Sequence, residues 1–313
     1  MNKKTIGIWG IRLIIFAAFV YLCLGWFDLK LVANQLLRLL AQPIALLLMT
    51  VLYGMAFVLR AVAWRRYLHD HVSFKVCLHA LFYSLFINHI LPFKVGEVVR
   101  AGYLVQGKHA SWDEAAHSVI VLRSLDVLTL GLFSGIGVLV IGLRVSWFAM
   151  IGFVLGIMLV IGLVYFLSKQ KLSGFLHKHV RLMKQAMSGT SGVMIVSLTA
   201  ISWLLEAFVV IGVAHALKIK LSFLQGVWVT SMTIAGQTFN FTPGGIGTYE
   251  SVMSFSLAAV GMSLSNAYAV ALLSHGFKFI FSFAAGAYVL ITSPVSLRDV
   301  RKWTAKKKLE EQK

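Results

Sequence analysis

The sequence predicts an all-α polytopic membrane protein: about six full transmembrane helices plus two oppositely oriented re-entrant helical hairpins, an inverted-repeat-like plan. Three observations predict it. Of the 313 residues 59% are hydrophobic and only 13% charged, against roughly 25% charged in a soluble domain, and the mean hydropathy is +0.83. Apolar runs of about 18 or more residues recur along the chain, each long enough to cross about 30 Å of hydrocarbon. Two further runs are interrupted by proline and glycine, with carboxylates just beyond the breaks.

The chain begins MNKK, and the apolar run to Trp26-Phe27 exceeds the core of a signal peptide and lacks a small-x-small cleavage site. It is therefore read as a retained first helix at 8–27. Further crossings are predicted at 43–63, 117–143, 147–168, 193–217 and 265–292, each near the length a bilayer needs. Pro43 suits a first helical turn, where no backbone donor is lost. Residues 74–107 run apolar to Leu91, break at Pro92 and continue with Glu97 and Arg100. Residues 222–262 run apolar to Phe241, break at Pro243-Gly244-Gly245 and continue past Glu250.

Charge decides how these two segments thread. With Lys3 and Lys4 inside, two crossings bring Arg60, Arg65, Arg66 and Lys75 inside. If 74–107 returns to its own side, two more crossings put Lys169, Lys171, Lys178, Arg181 and Lys184 inside as well. A hairpin at 222–262 then opens from the outer face, and the basic tail ends inside. Making either segment a single crossing would place a basic cluster outside, against the positive-inside rule. Residues 1–297 are thus one integral membrane domain and 298–313 a basic cytoplasmic tail, both termini being cytoplasmic. Residues 169–187 combine helical apolar spacing with basic residues, as an interfacial helix or a plain basic loop would.

The formal charge of +18 is distributed over loops that flank apolar segments, which suits anionic lipid headgroups rather than nucleic acid. Cys23 and Cys77 lack a CxxC partner, so neither a disulfide framework nor a zinc site is expected. His69 and His71 flank Asp70 without the further ligand spacing of a metal site. No cofactor is expected.

The two breaks share a pattern: Asn88-x-x-x-Pro92-x-x-x-Gly96-Glu97 and Asn240-x-x-Pro243-x-x-x-Gly247-x-x-Glu250. Broken helices of opposed repeats build binding sites near the midplane. Pro243 lacks an N–H, and Gly244, Gly245 and Gly247 permit backbone angles closed to other residues. The helix that resumes beyond them starts with free donors and a partial positive charge, where a phosphate is a natural guest; the bland alternative is a tight turn. Charges at membrane depth sharpen the case. Arg123 and Asp126, like Glu97 and Arg100, sit at i,i+3 and can pair locally. Glu206 and Glu250 have no cation at helical spacing, so each is protonated, paired across helices or solvated, which makes them the leading headgroup or proton-linked candidates. Lys278, mid-span, needs an acid, and Glu206 or Glu250 can serve. Lys94 beside Pro92 is placed to attract a phosphate or compensate Glu97, and His89 reads as a structural histidine or a partner of Glu97.

Pro92-Phe-Lys-Val-Gly96-Glu97-Val-Val-Arg100-Ala-Gly-Tyr103-Leu104, Arg123-x-x-Asp126, Thr242-Pro-Gly-Gly-Ile-Gly247-Thr-Tyr-Glu250 and Arg60-Ala-Val-Ala-Trp64-Arg65 together resemble the flippase-like transmembrane domain of lysylphosphatidylglycerol synthases. The resemblance spans about residues 10–295. It implies an inner-membrane protein that moves lipids between leaflets. Two-domain members add a cytosolic domain that makes aminoacylated phosphatidylglycerol; after its short basic tail this chain shows none, so a stand-alone member is expected. Where the family often has a glutamate before the arginine, this chain has Leu122.

The leading expectation is therefore a flippase-like transporter, not an enzyme, for a phospholipid or a polyprenyl-phosphate-linked lipid. Its partners are anionic lipid headgroups, with a second copy or a pathway enzyme as candidate protein partners. The alternatives are an ion-coupled transporter of a small solute, with Asp126 or Glu206 carrying a proton, and a membrane transferase acting on lipid-linked substrates. The transferase lacks any supporting motif: the sequence has no HExxH and no Gly-rich nucleotide loop.

Overall fold

The computed structural model describes residues 29–91, 95–142, 181–185, 188–237 and 242–293. In order these form α1 (Leu29–Leu40), α2 (Pro43–Tyr67), α3 (Phe74–Ile90), α4 (Gly96–Gln106), α5 (Trp112–Ile141), α6 (Gly189–Glu206), α7 (Phe208–Ala216), α8 (Phe223–Gly236), a 3-10 turn (Pro243–Gly245), α9 (Thr248–Ala259) and α10 (Leu264–Thr292). Among the described residues four helical stretches are long and apolar enough to cross a membrane: Pro43–Tyr67, Trp112–Ile141, Leu264–Thr292 and the nearly continuous pair α6–α7, Gly189–Ala216. They correspond to the crossings expected at 43–63, 117–143, 265–292 and 193–217. The expected crossings at 8–27 and 147–168 lie outside the described residues, as do the basic tail and most of the 169–187 segment. The α1 helix was not expected; its Gln35 is buried and donates to Asn266 of α10 at 3.1 Å.

Local chemistry sets the ends. Pro43 occupies the first turn of α2. Ser73, Ser111 and Ser222 accept bonds from the first-turn amides of α3, α5 and α8, and Ser222 with Gln225 completes a capping box. Gly142, left-handed at φ 70°, closes α5. Leu47, Leu132, Leu139, Ile280 and Ile291 point outward, an arrangement suited to lipid and costly in water.

The chain folds back at both breaks. Tyr83 faces Tyr103 at 6.3 Å, and Asn88 bonds Gly96, so α3 and α4 form an antiparallel hairpin. A Cβ on Gly96 would stand 2.4 Å from the carbonyl oxygen of Ser84; only glycine lets the helices approach this closely. Helices α8 and α9 also pack directly on each other, Gly236 against Val252.

Both hairpins lean on α10, and this fixes their relative direction. Along α3, His79, Phe86 and His89 meet Tyr288, Phe283 and Phe279 of α10 in turn, so α3 runs antiparallel to α10. Helix α9 joins α10 through residues 260–263 and stacks Tyr249 on His275 at 4.1 Å, so it too is antiparallel to α10. α3 and α9 therefore point the same way. The first hairpin's tip lies at the end of α3, the second's at the start of α9, and the tips approach each other from opposite directions. They meet beside His275–Phe279, near the midpoint of α10, where α3 touches the Pro243–Gly245 turn.

Candidate functional site

Where the tips meet, the interior turns polar. Glu206, the last residue of α6, is buried and accepts two bonds of 2.7 Å, from Nη2 of Arg60 on α2 and from Nζ of Lys278 on α10. Arg60 also donates through Nε to Ser202 Oγ at 3.1 Å and lies over the ring of Trp203 at 4.1 Å. Lys278 sits about equally far from the rings of Tyr53, 5.5 Å, and Tyr249, 5.4 Å. Three helices remote in sequence are thus fastened at one carboxylate. Charge-assisted bonds of this length are the strong kind.

A second centre holds the break after α8. Gly244 adopts φ +64°, and a Cβ there would fall 2.3 Å from the Phe279 ring, so left-handed backbone and close packing both select glycine. Its carbonyl lies 3.0 Å from Nε2 of His275. The other ring nitrogen, Nδ1, lies 2.7 Å from Oε1 of Glu250, whose Oε2 accepts the Gly247 amide at 2.8 Å.

The remaining charges are joined more loosely. Glu97 and Arg100 on α4 approach to 3.9 Å, and Arg123 and Asp126 on α5 to 3.8 Å, beyond hydrogen-bond range. Arg100 stacks on Trp64 at 4.0 Å, and Trp203 donates to Asp126 at 2.9 Å. Asn88 Oδ1 accepts the Gly96 amide at 2.8 Å, capping the start of α4. Three buried polar atoms beside these groups have no hydrogen-bond partner among the described residues: Arg100 Nε, Glu97 Oε2 and the Tyr249 hydroxyl.

Most of these groups border one cavity of about 180 Å³, with Gly96, Gly247 and Glu250 just behind its wall. Among the described residues its wall carries four cations, Arg60, Arg100, Arg123 and Lys278, against three carboxylates, Glu97, Asp126 and Glu206. The formal excess of one positive charge, with the Arg100 Nε beside it, suits an anion.

The model of one protein family, the lysylphosphatidylglycerol synthase TM region, matches residues 9–286. The chain belongs to this family. The match spans both breaks and every residue that borders the chamber, and the protein is a multi-pass membrane protein. Comparison with curated proteins and with solved structures yields no match.

Within this TM region, the expected residues separate into three groups. Asn88, Glu97, Arg100, Arg123, Asp126, Glu206, Gly244 and Lys278 border the cavity itself. Gly96, Pro243, Gly245, Gly247 and Glu250 shape its walls from just behind. Pro92, Lys94 and Asn240 lie outside the described residues. Lys278 finds its acid in Glu206.

Two expectations are corrected. The Gly247 amide is not open to a phosphate, because Glu250 already caps it. Arg60 is not a flanking loop charge: it lies inside α2, with 14% of its side chain exposed, and binds Glu206. Of the two readings of His89 the structural one fits, its Nδ1 donating to the Leu85 carbonyl at 2.8 Å. Tyr53, Trp203, Tyr249 and His275 were not expected at the site. Aromatic residues and a lone histidine on apolar helices carry no signal that separates chamber from core. Arg60 carried one, as a cation a full turn inside its helix and apart from Arg65 and Arg66.

Proposed function

We propose that the protein moves a lipid with an anionic headgroup, a phospholipid or a polyprenyl-phosphate-linked lipid, between the leaflets of the inner membrane. The observation that carries this reading is the chamber where two opposed broken hairpins meet, with its excess of one cation. An ionised phosphate in bare hydrocarbon faces a Born penalty of order 20 kcal/mol. Fixed guanidinium and ammonium groups substitute for its water shell in the chamber. Arg100 is the foremost contact, because it borders the cavity and its Nε is buried without a partner among the described residues. The acyl or polyprenyl tails stay in lipid against the apolar outer faces. Glu97 balances Arg100 while no headgroup is bound.

In this reading the two hairpins re-enter from opposite leaflets, six helices cross fully and both termini are cytoplasmic. The protein is a transporter and makes or breaks no covalent bond. The test is leaflet transfer of a fluorescent phosphatidylglycerol by the purified full chain in vesicles. Arg100→Gln and Glu97→Ala are expected to slow transfer at least about tenfold, a loss of about 1.4 kcal/mol of barrier stabilisation. Unchanged transfer in both variants, with unfolding temperatures confirming that they fold, would remove the chamber from the pathway.

A further inference from the structure

His275 has both ring nitrogens opposite acceptors. The Gly244 carbonyl oxygen, 3.0 Å from Nε2, can only accept, so Nε2 carries a hydrogen. The 2.7 Å contact between Nδ1 and Glu250 Oε1 then requires one more proton, held on the imidazole or on the carboxyl. Without that proton the pair cannot keep both bonds. If the remaining hydrogen stays on Nε2, a nitrogen lone pair faces the carboxylate; if it moves to Nδ1, a lone pair faces the Gly244 carbonyl. Either way one of the two ties between the second break and α10 becomes repulsive. The side chains are 3% and 5% exposed, so bulk water screens little of this.

We propose that His275 and Glu250 form a proton-binding site that couples lipid movement to H⁺ movement, the second break parting from α10 as the proton leaves. The lipid half of this proposal rests on the function proposed above; the proton half does not. The proton exchanges with the chamber, which His275 and Gly244 border. With its proton the pair is neutral overall, and without it the pair carries one negative charge. An anion in the chamber therefore favours the proton-bound form, and the bound proton favours the anion by the same factor. That makes the coupling a symport. Among the described residues the titratable and charged groups around the pair are Tyr249 of α9, stacked on the imidazole, His89 of α3, 6.4 Å away, and Lys278 one turn along α10. Behind Lys278 stand Glu206 of α6, Arg60 of α2 and the Tyr53 ring of α2. Glu206 already holds two cations, so Glu250 is the carboxylate that shares its contact with a proton-exchanging group.

Glu250→Gln tests the idea, because glutamine imitates the protonated carboxyl. Its carbonyl can accept the Gly247 amide and its NH₂ can donate to Nδ1, so both ties persist without a removable proton. The full chain is reconstituted in vesicles with fluorescent phosphatidylglycerol under an imposed pH difference. The wild type is expected to shift the leaflet ratio by up to about tenfold per pH unit for one proton per lipid, while Glu250→Gln gives the same ratio with and without the gradient. Wild-type transfer that ignores the gradient overturns the coupling and leaves the lipid reading standing. If no lipid crosses, the lipid reading fails, and an acid–base titration of the detergent-solubilised full chain decides the proton site. There the wild type is expected to take up one more proton per chain than Glu250→Gln, and coincident curves overturn it.

Discussion

Removing the Glu206 carboxylate is the most searching perturbation of the chamber. Glu206→Ala leaves Arg60 and Lys278, 14% and 6% exposed, without the acid that both contact at 2.7 Å. Breaking a buried ion pair by deleting one partner costs about 3–5 kcal/mol. Lys278→Met is milder, since Glu206 keeps Arg60, and the lost charge-assisted bond is worth about 1.5–3 kcal/mol. At roughly 2–4 °C per kcal/mol, thermal unfolding in detergent should fall by about 6–20 °C for Glu206→Ala and about 3–12 °C for Lys278→Met. These ranges overlap, so the double variant decides. Once Glu206 is gone, removing Lys278 relieves an unpaired buried cation, and the combined loss should undershoot the sum by at least about 1 kcal/mol. Losses that add within about 0.5 kcal/mol, or a Glu206→Ala milder than Lys278→Met, would refute the direct pairing. A triple variant, Arg60→Met, Glu206→Leu and Lys278→Met, should approach wild-type stability, because apolar replacement of a buried ionic cluster is often neutral or better. It should nonetheless move no lipid. A stable triple variant with normal transfer would show that these charges serve folding alone.

Gly244→Ala combines left-handed backbone, about 1–2 kcal/mol, with a ring contact worth about 1–3 kcal/mol, because its Cβ would lie 2.3 Å from Phe279. The unfolding temperature should drop and Phe279→Leu should partly restore it; an unaffected protein would refute the tight turn. Gly96→Ala drives a Cβ to 2.4 Å from the Ser84 carbonyl, which cannot swing away, and to 2.6 Å from the Asn88 side chain, so it should lose about 1–3 kcal/mol, with at most partial relief from Asn88→Ala; full rescue by that change would place the clash on the side chain alone. Arg100→Lys keeps the charge but loses the planar stack on Trp64 at 4.0 Å. Leaflet transfer should fall about tenfold, or 1.4 kcal/mol, and equal rates would mean that charge alone matters.

The path of the chain was legible because lipid imposes length and the backbone imposes chemistry. Four crossings follow from apolar length alone, and both breaks announced themselves through Asn88, Gly96 and the Pro243–Gly247 glycines. The α1 helix stayed hidden because its 12 residues, LKLVANQLLRLL, are too short to read as a crossing. Partners across helices were illegible for a different reason. Arg60 and Lys278 reach Glu206 from 146 and 72 positions away, and only tertiary register brings them together. His275 was hidden for the same reason, since nothing near it on α10 hints at Glu250 or at the Gly244 carbonyl.

Sequence distance and bond quality rise together at this site, and that bears on mechanism. The pairs readable at i,i+3, Glu97–Arg100 and Arg123–Asp126, stand 3.9 and 3.8 Å apart, with Glu97 and Arg123 about 30% exposed. The pairs invisible to spacing, Arg60–Glu206, Lys278–Glu206 and His275–Glu250, close to 2.7 Å and are nearly dry. A tightly satisfied buried cluster gains little by turning to a ligand, because it would forfeit bonds of equal strength. A loose, half-wetted pair forfeits almost nothing. Under the proposed function, the groups that would exchange partners with a headgroup are therefore Arg100 and Arg123, with Glu97 and Asp126 receiving them back afterwards. Glu206 holds α2, α6 and α10 together around the chamber, inverting the order of importance that isolated acids in the sequence suggest.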